Sequence, residues 1–129
     1  MKFNFPMAFT TTMISWAITE FGNHIPPNNL ATAFVAVRQA TDYLLNSVVA
    51  ILGKLYIRVG DPNADHQCWE RPEDMDTPRI VYFVSLEKPG SNVAGETVAA
   101  LSAVTLVFRV ADKKFSTMLL SVAKKVILE

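Results

Sequence analysis

The stretch Met7-Ala8-Phe9-Thr10-Thr11-Thr12-Met13-Ile14-Ser15-Trp16-Ala17-Ile18-Thr19-Glu20-Phe21 decides the fold class. Phe9, Met13, Ala17 and Phe21 recur at four-residue steps with Ile14, Ile18 and Trp16 beside them, which is the spacing of a helix face. Set at the helical angle, only Thr11, Thr12, Ser15 and Thr19 form a narrow polar strip. A helix apolar over so much of its circumference is expected to be buried on more than one side.

Outward from this helix the pattern stays helical. Gly22 is a stop signal, and Pro26-Pro27-Asn28-Asn29 reads as a loop ending in an N-cap. A second helix is expected from Leu30 to before Gly53, with Ala33, Phe34, Val37, Leu44, Leu45 and Val48 as its apolar positions and Arg38 paired to Asp42. Lys54 to Val59 alternates as a short strand, closed by Gly60-Asp61-Pro62. A third helix, Val93–Phe108, is rich in small residues that admit a close neighbour. Asp112 caps a fourth, whose face carries Phe115, Met118, Leu119, Val122 and Val126, with Lys113, Lys114, Lys124 and Lys125 largely off it.

Between Asp61 and Pro89 periodicity fails, with prolines at 62, 72, 78 and 89, and a long loop is expected. Loops of that length in compact domains tend to carry function. In one reading Asp61, Asp65 and His66 hold a divalent metal, though their spacing fits no common calcium or zinc motif. In a second, two carboxylates among Asp61, Asp65, Glu70, Glu73, Asp74 and Asp76 act as acid and base on a glycosidic bond. A third is a sugar surface in which Trp69 stacks on a pyranose while His66 and Asp65 bond its hydroxyls. Against all three stands a plain loop, with Trp69 packed beneath it and the acids as a solvated rim.

Composition excludes other classes. With half its 129 residues hydrophobic, the chain is too apolar for disorder and long enough for one domain. Twelve basic and twelve acidic residues cancel with no basic stripe, so no nucleic-acid partner is expected. Cys68, the single cysteine, rules out an intrachain disulfide. No apolar run reads as long enough for a membrane span, the N-terminal residues do not read as a signal peptide, and no internal repeat is visible.

The segment Val59-Gly60-Asp61-Pro62-Asn63-Ala64-Asp65-His66-Gln67-Cys68-Trp69-Glu70-Arg71-Pro72-Glu73-Asp74-Met75-Asp76-Thr77-Pro78-Arg79 resembles the central signature of plant endo-beta-1,4-glucanases of glycoside hydrolase family nine. Lys2-Phe3-Asn4-Phe5-Pro6-Met7-Ala8-Phe9-Thr10, Thr41-Asp42-Tyr43-Leu44-Leu45, Gly90-Ser91-Asn92-Val93-Ala94-Gly95-Glu96-Thr97 and Leu106-Val107-Phe108-Arg109 continue the likeness in order and spacing. Val48 to Lys54 is more apolar than the family's linker there, and Val126 to Glu129 departs from its pattern. Such ends are expected of a truncated gene product or partial gene model.

The resemblance implies an all-α chain forming part of an (α/α)6 barrel, with about four helices, one short strand and a long substrate-side loop. It also implies inverting cleavage of internal bonds in cellulose or related beta-1,4-glucan, extracellular or in the cell wall; no cofactor and no metal are expected. The family's base comes from an Asp-Ala-Gly-Asp motif just before the segment matching Lys2, and its acid is a glutamate beyond Glu129. No catalytic carboxylate is therefore expected in this chain, which would be inactive alone. Carried over residue by residue, the substrate contacts are His66 and Trp69, with Asp65 in support. The remaining expectation is a non-catalytic helical or glucan-binding module, with self-association through exposed apolar helix faces.

Overall fold

A computed structural model of the chain describes residues 1–49 and 53–128. The elements follow as β1 (Lys2–Phe3), α1 (Asn4–Phe21), a single 3-10 turn (Gly22–His24), α2 (Pro27–Val49), β2 (Lys54–Val59), α3 (Pro62–Gln67), β3 (Val81–Ser85), α4 (Ser91–Phe108) and α5 (Lys113–Leu128). The expected end of the second helix before Gly53 lies outside the described residues.

Helix α1 starts at Asn4, ahead of the periodic residues, because Pro6 falls in the first turn, where a missing N–H leaves no bond unmade. Its orientation reverses the simplest reading of its pattern. Asn4, Ala8, Thr11, Ser15 and Ile18 are buried, so part of the expected polar strip faces inward. Phe9 and Trp16, on the apolar face, are 52% and 60% exposed, and Phe5, Met13 and Phe21 are exposed with them. Small side chains explain the choice: α4 packs chiefly on α1 and α5, and Thr11 and Ser15 are buried on α1 as Thr97, Ala100, Leu101 and Val104 are on α4. Thr11 satisfies its hydroxyl locally on the Met7 carbonyl at 2.7 Å. The wide apolar face is real, but within this chain only one side of the helix is covered.

Gly22 ends α1 with φ −52°, an ordinary right-handed value, and the chain continues into the 3-10 turn without a left-handed cap. The Leu30 N–H bonds the Pro26 carbonyl at 2.9 Å, so Pro27, Asn28 and Asn29 form the first turn of α2 and not the loop expected there. Arg38 pairs with Asp42 at 3.5 Å as its spacing requires. The same guanidinium lies 3.6 Å from the Phe115 ring centre and 3.5 Å from Asp112, tying α2 to the start of α5. Asp112 caps α5 by accepting the Phe115 N–H at 3.0 Å.

The core joins Val37 and Leu44 of α2, Ala100, Leu101, Val104 and Phe108 of α4, and Phe115, Leu119 and Ala123 of α5, with Ala8 and Ile18 of α1. Phe108 makes edge-on contacts with both Phe34 and Phe115. Helix α4 is long and apolar enough by length and composition to cross a membrane, contrary to the sequence reading. Its position between α1 and α5, with five side chains buried, is that of a core helix.

The single expected strand is the middle of a sheet ordered β1-β2-β3, all antiparallel, with Lys2 opposite Val59 and Val59 opposite Val81. The stretch expected to be one long loop thus contains α3 and β3. Val81-Tyr82-Phe83-Val84 has the β-branched and aromatic content of a strand, but the flanking Pro78 and Pro89 obscure it. A strand of only two residues, as β1 is, carries no readable periodicity.

Candidate functional site

The sheet and α3 build a scaffold for the acidic segment. Asp61 initiates α3, its Oδ1 accepting the Asn63 and Ala64 N–H groups at 2.9 and 3.0 Å, with Pro62 opening the first turn. Tyr82 Oη, on β3, lies 3.4 Å from the other oxygen of Asp61. The Ala64 N–H, with Asn63, Tyr82 and the nearby Arg58 charge, holds the Asp61 carboxyl below its ordinary value of 3.8 against the opposing effect of desolvation.

One turn further on, Asp65 is enclosed. Its side chain is 3% exposed and is paired with the Met1 ammonium. The Thr77 hydroxyl donates to Oδ1 at 2.6 Å and the Arg79 guanidinium to Oδ2 at 2.9 Å. The Met1 ammonium first, then the Thr77 hydroxyl, and with them Arg79, lower its pKa to about 2.

Gly60 makes this junction sterically possible. Its φ of +86° closes β2, and its N–H bonds the Ile80 carbonyl at 2.8 Å. A Cβ there would stand 2.9 Å from Asp65 Oδ2, 3.2 Å from Arg79 Nη1 and 3.2 Å from Met1 Cα.

On the other side of the junction the surface is open. His66 is exposed, and Trp69 is 96% exposed. The plain-loop expectation of a Trp69 packed beneath the segment fails. Beyond it, Arg71 and Asp74 close a turn, with the Asp74 N–H on the Arg71 carbonyl at 2.9 Å and Arg71 Nε 2.7 Å from Asp74 Oδ2.

The geometry separates the chemical readings. Among the described residues no three His, Cys, Asp or Glu side chains gather to hold a metal. Asp61 and Asp65 are both shifted toward the ionised form, the opposite of what a general acid needs near neutral pH. What remains is a flat, solvated indole three residues from an exposed imidazole, side chains of the kind that stack on a ring and bond its polar edges.

Sequence reasoning named Asp65, His66 and Trp69 but missed Thr77 and Arg79, the partners that enclose Asp65. Their spacing of two across Pro78 was the available signal, since alternate residues of an extended segment share a side.

Known proteins place this arrangement in context. The sequence model described as Glycosyl hydrolase family 9 matches residues 1–127. Endoglucanase 3 of Arabidopsis thaliana is 62% identical over 98% of this chain and 26% of its own length. Endoglucanase 1 of Persea americana is 56% identical over 98% of this chain and 25% of its own length. Among solved structures, the endoglucanase of the termite Nasutitermes takasagoensis superposes with a TM-score of 0.91 at 40% identity, covering 97% of this chain and 29% of that one. The cellulase Cel9M of C. cellulolyticum in complex with cellobiose gives a TM-score of 0.89 at 29% identity, over 98% of this chain and 30% of that one. The chain spans about a quarter of the length of the curated relatives it matches.

Proposed function

Since this chain belongs to glycosyl hydrolase family 9 and its helices form part of that family's (α/α)6 barrel, we propose that it contributes a glucan-contacting portion of an endo-beta-1,4-glucanase. The observation that carries this reading is the pair of exposed side chains His66, on α3, and Trp69, two residues past the end of that helix. An indole face covers the apolar face of a pyranose, and an imidazole edge bonds its hydroxyls. Asp65 supports the two without facing solvent. As the resemblance implies, the hydrolytic carboxylates come from other parts of the family's domain, and the role of residues 1–129 is to hold beta-1,4-glucan. The whole enzyme acts outside the cell or in the cell wall.

A proton-nitrogen correlation spectrum of the chain, titrated with cellohexaose, tests this. The Trp69 indole signal is expected to shift while that of Trp16, on α1, stays put. An unmoved Trp69 indole at millimolar sugar sinks the proposal.

The apolar stripe of α1 favours a second role beside the first, self-association through Phe5, Phe9, Met13 and Trp16. Sedimentation at rising concentration reads it directly, and a monomer throughout removes it.

A further inference from the structure

Asp65 was expected among the sugar contacts, yet its side chain is buried and both of its oxygens are occupied. From that geometry we infer that Asp65 is a positioning residue: with Thr77 and Arg79 it locks α3 to the segment preceding β3, and so fixes where His66 and Trp69 present themselves. The inference rests on the glucan reading for its consequence, but its structural half stands on the contacts alone.

First, the contacts cross the loop. Thr77 lies 12 residues and Arg79 14 residues beyond Asp65, and these side chains close the acidic segment into a ring. Without them α3 is a helix of only six residues, far too short to persist by its own backbone bonds.

Second, the two functional side chains hang on the locked residue. His66 is its immediate neighbour, and Trp69 follows four residues on, where the Cys68 N–H still bonds the Ala64 carbonyl at 3.1 Å. A rotation of α3 about its axis would swing the His66 ring directly and would move the point from which the extended Cys68 and the Trp69 after it leave the helix. Third, the close fit around Gly60 leaves Asp65 little room to move, since even a methyl group there would strike its carboxylate.

An aromatic platform gains affinity by being held in place before the sugar arrives, because a mobile indole must lose its freedom on binding. Removing the lock should therefore weaken binding while leaving the helical core alone.

The test uses the full chain with Asp65→Asn, Thr77→Val and Thr77→Ser. Amide exchange is read at Asp65 and Cys68, whose N–H groups bond the Asp61 and Ala64 carbonyls at 3.0 and 3.1 Å. Cellohexaose affinity is read from the Trp69 indole, with the Trp16 indole and helical circular dichroism as controls on the core.

Asp65→Asn and Thr77→Val are expected to speed exchange at both amides and to weaken cellohexaose by about tenfold, with Trp16 unchanged. Thr77→Ser, which keeps the hydroxyl, should behave as the parent. Unchanged exchange in Asp65→Asn overturns the lock. Faster exchange with undiminished affinity overturns the positioning role. A parent chain silent to cellohexaose sinks the glucan reading instead, and the exchange result then decides the lock alone.

Discussion

Tyr43, in the C-terminal half of α2, donates its hydroxyl to Asn4 Oδ1 at 2.7 Å, while the amide of the same Asn4 donates to the Tyr56 carbonyl on β2. One buried side chain thus joins the start of α1, the C-terminal half of α2 and the central strand. Burial also raises the Tyr43 pKa, keeping its proton available for the bond.

Tyr43→Phe would leave Asn4 Oδ1 buried without a donor. The expected loss is about 1–3 kcal/mol, the cost of an unsatisfied buried acceptor, measured by urea denaturation. A change within error would mean that another group or water replaces the hydroxyl.

Gly60→Ala and Gly53→Ala separate conformational strain from collision. Both glycines have positive φ, +86° and +75°, but a Cβ at Gly53 meets nothing within 4 Å. Gly53→Ala should cost about 1 kcal/mol from backbone strain, and Gly60→Ala distinctly more, because its methyl also displaces Asp65. Equal denaturation midpoints would show that the junction yields without penalty.

Acid should loosen the same junction. The folded pKa of Asp65, about 2, lies below its ordinary value of 3.8, so its ionised form stabilises the fold above about pH 4. That contribution is lost as pH falls from about 4 through 2, where the folded-state carboxylate takes up its proton. Thermal melts of the parent and Asp65→Asn should therefore converge as the buffer is acidified across this window. Curves that stay parallel would remove Asp65 from the acid response.

Leu101→Ala probes the core. The side chain is fully buried between α4's neighbours, and its truncation is expected to cost about 2–5 kcal/mol. Stabilities of domains this size are commonly about 5–15 kcal/mol, so the variant should melt far earlier or populate the unfolded state. Trp69→Ala is the counterpart: with its ring in water, the melt should not move, although cellohexaose binding should be lost.

Four of the helices were legible because each has a long apolar face, and the signature around Asp65, His66 and Trp69 was legible because it is long and specific. Chemistry also fixed several local details from sequence alone: Asp112 as a cap, Arg38 with Asp42, and Lys54–Val59 as a strand. These depend on neighbours within a turn or on alternation, so the chain itself carries the information.

Tertiary structure decided the rest. Periodicity could not say which side of α1 meets α4, and close helix approach selected the small residues Ala8, Thr11 and Ser15 over the bulky ones. It could not supply β1 or β3, since a strand is completed by bonds to partners distant in sequence. Nor could it distinguish Asp65 as a buried anchor from Trp69 as an open platform. Only the folded chain brings Thr77 and Arg79 onto the carboxylate and leaves the indole four residues away in water.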